Sequence, residues 1–206
     1  LEFRRVLFRS GFINGSQNSA IKIRYTKNGL NGSIGLFTNG EHVNVRNLNF
    51  TSISTDKQSI APNSSLFNQK SVQGWWKFID EVKHPSPLQE TNYVHIDNEQ
   101  LIFTGIPGNP IEVFHERKMS DDFIWRNKFS ISGFEGEAYT DLMFAYKDLQ
   151  GAGYHFRIVP SKTERKFQLL FNDNAGKQTV IKEVVTGAPV DHNELKDLEI
   201  RIIQNH

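Results

Sequence analysis

Cysteine is absent from the 206-residue chain, which excludes disulfides, thiolate nucleophiles and cysteine-ligated zinc sites. An excess of one charge is also lacking, because 24 basic residues stand against 23 acidic residues. No overall field is therefore available to attract nucleic acid or an anionic membrane. No run of about 18 apolar residues occurs, so the sequence predicts no membrane-spanning helix. We expect neither a nucleic-acid partner nor membrane insertion.

Phenylalanine, by contrast, is abundant, with 16 residues in a chain that is 37% hydrophobic, and this is typical of a globular protein with a sizeable core. Toward the C-terminus, apolar and polar residues alternate in segments that recur at regular intervals. They predict strands near residues 122–131, 140–147, 153–159, 166–172, 178–185 and 196–203. This spacing predicts an all-β antiparallel sandwich.

The N-terminal part of the chain shows the same alternation between residues 21 and 50. Asn-Gly pairs separate its apolar runs, and Asn-Gly favours tight hairpin turns. The pattern predicts a β-meander. The phase of the alternation shifts after Val45, which predicts a bulge near Arg46 and Asn47 or an irregular edge. Residues 52–72 are polar and have little periodicity, which predicts a connecting segment.

Residues 1–10 differ from the rest of the chain, and residues 4–10 resemble the translation of a sequencing-library adapter. We interpret residues 1–10 as a non-native tail and exclude them from the fold prediction. A genuine amphipathic or targeting peptide is the alternative.

Two motifs resemble a known family. GYHFRI at 153–158 and GSIGLFTNG at 32–40 resemble the concanavalin A-like jelly roll of laminin-G-type and levanase-type accessory modules of glycoside hydrolases. The resemblance implies an antiparallel jelly-roll β-sandwich of the concanavalin A-like lectin/glucanase type. The motifs stand in permuted order, as expected of a fragment of a tandem array.

The permuted order predicts a division of the chain. Residues 11–54 would supply the C-terminal strands of one module, residues 55–72 a linker, and residues 73–206 the N-terminal strands of the next module. The two pieces could also pair with each other and close one permuted sandwich, which would remove an exposed sheet edge.

The resemblance also implies a function, by analogy of fold. It points to a non-catalytic carbohydrate-binding or accessory module of a secreted, polysaccharide-degrading glycoside hydrolase. The expected partner is a polysaccharide or oligosaccharide, and the expected location is extracellular or at the cell surface. We expect a monomeric unit within a multidomain chain.

Sugar binding combines an aromatic ring for the apolar face of the sugar with polar groups for its hydroxyls. In the strand near 153–159, inward-facing Tyr154, Phe156 and Ile158 would turn His155 and Arg157 to the opposite face. Together with Trp76 and Tyr139, these two residues are our candidate carbohydrate-binding residues. The ordinary alternative is that the tryptophan covers the core or a sheet edge and that the arginine is a solvated strand residue or an ion-pair partner.

Two other functions stay open. Glu135 and Glu137 have the i, i+2 spacing that places two carboxylates on one face of a strand, as a glycoside hydrolase requires. However, the E-x-D-x-E signature of catalytic glucanases on this fold is absent, and a solvated turn explains both acids better. We therefore predict no catalytic residue. A structural spacer in a surface repeat protein is the remaining alternative.

The sequence supports neither a metal site nor a cofactor. Its seven histidines are scattered, with none of the short spacings that bind zinc. Asn172, Asp173 and Asn174, beside Gly176, could contact a calcium ion but fit a turn between strands better.

Overall fold

A computed structural model describes the protein at residues 6–13, 21–25, 32–39, 42–52, 64–65, 70–79, 84–104, 110–119, 123–132, 139–146, 152–160, 164–186 and 196–205. Every regular element within these ranges is a β-strand, which confirms the all-β prediction. The described ranges accordingly hold no helix of the length and apolar character needed to cross a membrane.

The strands of the N-terminal half, up to residue 104, are β1 (Val6–Ile13), β2 (Ile21–Tyr25), β3 (Gly32–Asn39), β4 (His42–Ser52), β5 (Ser64–Ser65), β6 (Trp75–Ile79), β7 (His84–Pro87), β8 (Val94–Asp97) and β9 (Gln100–Thr104). Those of the C-terminal half are β10 (Ile111–Met119), β11 (Phe123–Ser132), β12 (Tyr139–Tyr146), β13 (Gly153–Pro160), β14 (Arg165–Asn172), β15 (Gln178–Thr186) and β16 (Lys196–Asn205). The last six strands match the six predicted segments to within two residues at each end.

The strands form two antiparallel sheets. Sheet A has the order β2-β1-β16-β11-β4-β9-β8, with β5 beside β4. Sheet B has the order β15-β14-β13-β12-β3-β10-β6-β7. The chain crosses from one sheet to the other between β2 and β3, between β3 and β4, between β5 and β6, and between β7 and β8. It crosses again at each step from β9 to β12 and between β15 and β16.

One cluster of buried side chains lies between the sheets. Sheet A contributes Val94, Leu101, Phe103, Trp125, Phe129 and Ile200, and sheet B contributes Ile34, Leu36, Trp75, Val113, Leu142, Phe144, Tyr154, Phe156, Ile158, Phe167 and Leu169. Because both sheets supply members, they pack face to face in a β-sandwich-like arrangement. Each large side chain buried here stabilises the fold by about 1.5 to 3 kcal/mol.

The β-meander predicted for residues 21–50 is wrong. β3 pairs with β10 and β12 in the middle of sheet B, and β4 pairs with β9 and β11 in sheet A. The alternation of both strands is real, but β3 and β4 lie in different sheets, and each lies between two strands from later in the chain. Strands from both sides of residues 53–63 therefore share both sheets, while the division into parts of two tandem modules stays a prediction.

A bulge does occur in β4 where the sequence indicated one. The register of β4 against β11 shifts between the pairs Asn49–Arg126 and Arg46–Lys128, so two residues of β4 stand opposite one residue of β11. At the N-terminus, residues 6–10 are the first five of the eight residues of β1, which pairs with β16 and β2. Their non-native origin stays a prediction.

Candidate functional site: a polar cycle on the outer face of sheet B

Strand β13 separates the core from the candidate site. Tyr154, Phe156 and Ile158 are buried between the sheets, as the alternation predicts. His155 and Arg157 therefore lie on the opposite face, which we call the outer face of sheet B. This face holds the charged and polar groups described below.

Asp141 is the centre of the site. Its side chain is only 1% exposed, and it lies on β12 directly opposite Arg157 in the ladder. Arg157 donates from Nε to Asp141 Oδ1 at 2.7 Å and from a terminal nitrogen to Oδ2 at 2.8 Å. Two parallel hydrogen bonds of this kind hold a guanidinium in one orientation. The Arg157 side chain is 14% exposed, so the pair is shielded but still reaches the surface.

His155 adds a third hydrogen bond to the same carboxylate. Its Nδ1 lies 3.0 Å from Asp141 Oδ2, and its Nε2 lies 3.0 Å from Nδ2 of Asn172 on β14. An amide nitrogen can only donate, so Nε2 accepts and the imidazole proton is on Nδ1, which donates to Asp141. His155 is buried and uses both ring nitrogens within the protein.

Gln178, the first residue of β15, closes the arrangement into a cycle. Its Nε2 donates to Oδ1 of Asn172 at 3.0 Å, and its Oε1 accepts from Arg157 at 3.1 Å. Asp141, His155, Asn172, Gln178 and Arg157 thus form a closed cycle of hydrogen bonds, which we call the polar cycle. Every link in it joins one donor to one acceptor.

Tyr139 lies in a stack with Arg157 and Phe37. The guanidinium carbon of Arg157 is 3.7 Å from the centre of the Tyr139 ring, a cation–π distance. The rings of Phe37 and Tyr139 are nearly parallel, with centres 5.5 Å apart. Because Phe37 is on β3 and Arg157 on β13, one on each side of β12, they cover Tyr139 from two sides. The Tyr139 side chain as a whole is half-buried.

Burial has opposite effects on the pKa values of Tyr139 and Arg157. Desolvation raises the pKa of Tyr139 above its ordinary value of 10.0, with Arg157 lowering it and Asp141 raising it. Desolvation alone would lower the pKa of Arg157. The hydrogen bonds and charge of Asp141, and the attraction of Tyr139, outweigh burial and raise that pKa above its ordinary value. Arg157 therefore stays protonated.

Trp76 shares the outer face but lies far from the polar cycle. A row of directly paired residues crosses the sheet from Trp76 through Phe114, Gly35 and Met143 to His155. Four strand spacings separate the ends of this row, or about 19 Å. The structure thus brings Tyr139, His155 and Arg157 together and places Trp76 at a separate point of the same face.

The chemistry of the polar cycle favours binding over catalysis. With His155 neutral, the charges of Asp141 and Arg157 cancel, and the carboxylate accepts three hydrogen bonds from inside the protein. A carboxylate held in this way is a poor general acid or base. Glu135 and Glu137 lie outside the described residues.

The segment considered for calcium forms a turn. Asp173 Oδ1 accepts hydrogen bonds from the backbone N–H groups of Ala175 and Lys177, each at 2.9 Å. Gly176 adopts a positive φ of 78°, as the turn prediction requires. Within the described part of the chain no group of three or more histidines and acids is placed to hold a metal ion.

Sequence reasoning missed Asp141. It also missed Asn172 as a partner of His155 and Gln178 as a partner of Arg157. A signal for Asp141 existed, because it is the one charged residue of its strand and stands two residues from Tyr139, hence on the same face. No comparable signal marked Asn172 or Gln178, since their role depends on the pairing of β14 with β13 and β15.

Comparison with protein-family models, with curated proteins and with solved structures found no match to this chain. Its function is therefore inferred from the outer face of sheet B itself.

Proposed function

We propose that this chain is a non-catalytic carbohydrate-binding or accessory module that holds a saccharide on the outer face of sheet B. One observation carries the proposal: Arg157 is fixed by Asp141 and stacked on Tyr139 on a face that also bears Trp76. A donor that is already held in one orientation loses little entropy when it binds a ligand.

The hydrogen-bonding capacity of this region suits sugar hydroxyls, which both donate and accept. Arg157 has five N–H groups, and three of them donate within the polar cycle. Among the described residues the other two have no partner, so they can donate to a ligand. The exposed amide of Gln178 adds both a donor and an acceptor. Because the cycle has no net charge, it favours an uncharged saccharide over an acidic one.

The roles of the four candidate residues differ within this proposal. Arg157 and the half-buried Tyr139 contact the ligand, and Trp76 offers a ring to a more distant part of it. His155, which uses both ring nitrogens inside the protein, acts as a positioning residue for Asp141.

The crossings between the sheets support the finer fold proposal. Consecutive strands from β9 to β12 alternate between the two sheets, as in a jelly roll. Together with the resemblance of the GYHFRI and GSIGLFTNG motifs, this supports a concanavalin A-like module of an extracellular or cell-surface glycoside hydrolase.

The test is a screen of the full chain on a broad glycan array and on insoluble fructan and glucan. Arg157→Lys keeps the charge but loses the two-bond geometry, and we expect its affinity to fall at least tenfold, or about 1.4 kcal/mol. Trp76→Ala should also weaken binding. Arg126→Lys is the matched control, because Arg126 pairs with Glu199 on sheet A.

A folded protein that retains no glycan would refute the proposal and favour the structural spacer. Equal losses in Arg157→Lys and Arg126→Lys would place the binding site elsewhere. Cleavage of a polysaccharide that disappears in Glu137→Gln would favour the hydrolase instead.

A further inference from the structure

The polar cycle has a fixed direction, and its chemistry explains why. Arg157 can only donate and the Asp141 carboxylate can only accept, whereas each amide donates at one atom and accepts at the other. Starting from Arg157, the direction therefore runs through Gln178 and Asn172 to His155 Nε2. A neutral imidazole protonated on Nδ1 accepts at Nε2 and donates from Nδ1 to Asp141, so every hydrogen bond of the cycle is formed.

Protonation of His155 is incompatible with this direction. An imidazolium only donates, so the segment from Arg157 to His155 would have a donor at each end and two amides between them. If the Asn172 amide turns over so that Oδ1 accepts from His155, its Nδ2 faces Nε2 of Gln178, which is also a donor. If the Gln178 amide turns over as well, its Nε2 faces the guanidinium of Arg157, and two donors meet there instead. One hydrogen bond of the cycle must therefore be lost.

We propose that Asn172 and Gln178 are a relay that couples the protonation of His155 to Arg157: when His155 gains a proton, both amides reverse and Gln178 detaches from Arg157. Asn172 is half-buried and keeps its partner, whereas Gln178 is exposed, so the hydrogen bond that is lost is the one between Gln178 and Arg157. Gln178 can therefore turn to water at low cost. The bond from His155 to Asp141 persists and becomes an ion pair, so the change stays local.

The groups around His155 allow this coupling. β12 presents Asp141 and Met143 to it, and β14 presents Leu170 and Asn172. On its own strand, Arg157 is the neighbouring charge on the same face, while Tyr139 and Gln178 contact Arg157. Asp141 is thus the acid that retains the imidazolium, and Arg157 is the cation whose contacts respond.

The relay is testable without any ligand and does not rest on the proposed function. The experiment is a pH titration of the ¹⁵N-labelled full chain by NMR, following the ring nitrogens of His155 and the side-chain amides of Asn172 and Gln178. At high pH we expect the Nδ1–H tautomer. As His155 protonates, both amide signals should shift with the same midpoint, while the amide of Gln168, which donates to Glu183 outside the cycle, should not follow it.

Gln178→Glu provides a sharper test. A carboxylate at position 178 accepts from both Arg157 and Asn172, so Asn172 Oδ1 can face an imidazolium and every link is restored. At a fixed pH we expect the ratio of imidazolium to imidazole at His155 to rise about tenfold, which corresponds to about 1.4 kcal/mol. Thr179→Glu is the matched control, because Thr179 is the exposed neighbour of Gln178 on β15 and turns to the opposite side of the strand. It gains the same charge outside the cycle.

Four results would overturn the relay. The first is an Nε2–H tautomer at high pH, and the second is that the amide signals do not move when His155 gains a proton. The third is equal effects of Gln178→Glu and Thr179→Glu. The fourth is a His155 that stays neutral until the protein unfolds in acid.

Discussion

Replacing Arg157 with alanine should cost far more stability than replacing an arginine of the opposite sheet. The substitution removes two of the three hydrogen bonds to Asp141, whose side chain is 1% exposed. Hydrogen bonds to charged groups contribute about 1.5 to 3 kcal/mol each, so the loss amounts to about 3 to 6 kcal/mol. This agrees with the roughly 3 to 5 kcal/mol expected when a buried charge loses its partner.

Arg126→Ala is the internal comparison for this prediction. Arg126 also pairs with an acid, Glu199, but its side chain is 47% exposed. Exposed ion pairs contribute only about 0.2 to 1 kcal/mol, because water screens the charges and competes for them. The two substitutions remove the same side chain, so a difference between them reports the burial of Asp141.

Urea unfolding measures both effects. With a slope of about 2 kcal/mol per molar urea, Arg157→Ala should lower the midpoint by about 2 M and Arg126→Ala by less than about 0.5 M. Asp141→Ala completes a double-mutant cycle with Arg157→Ala, and we expect a coupling energy of at least about 2 kcal/mol. Equal costs of the two arginine substitutions, or a coupling near zero, would refute the assignment of Arg157 and Asp141 as a buried pair.

The further predictions concern Tyr139, Gly35 and Gly176. Because burial raises the pKa of Tyr139 in the folded protein, its contribution to stability is complete below the unfolded-state pKa and is lost as the pH rises through the folded-state pKa. Unfolding measured from about pH 9 to 12 should therefore show a steeper loss in the parent than in Tyr139→Phe, and parallel curves would contradict this. Gly35→Ala should cost about 1 to 3 kcal/mol or more, since its Cβ would lie 2.6 Å from the backbone oxygen of Val113 and 2.7 Å from the Met143 methyl. Gly176→Ala should cost about 1 kcal/mol for its positive φ alone, as open space surrounds that position; Gly176→Asn should recover part of this cost, and Gly35→Asn should not.

Much of the fold could be predicted from the sequence because strand alternation is local. In β13 the buried row of Tyr154, Phe156 and Ile158 follows from period two alone. The bulge in β4 was detectable for the same reason, because a shift in phase is visible in the sequence. The prediction of a meander was wrong because Asn-Gly pairs indicate a turn but do not show whether the next strand joins the same sheet.

The candidate site was predictable only in part. The outward direction of His155 and Arg157 followed from the alternation, but their partners did not. Asp141 is 16 residues before Arg157, and Gln178 is 21 residues after it, so each contact depends on the register between neighbouring strands.

The sequence by itself determined the all-β class, the positions of the C-terminal strands and the face to which each side chain turns, because these depend on residues within one strand. Only the tertiary structure decided which strands are neighbours. Strand order and register depend on how all the apolar faces are buried together. That arrangement brings Asp141 and Gln178 within hydrogen-bond distance of Arg157 and places Asn172 beside Gln178. It thereby holds the Arg157 guanidinium in one orientation within the polar cycle.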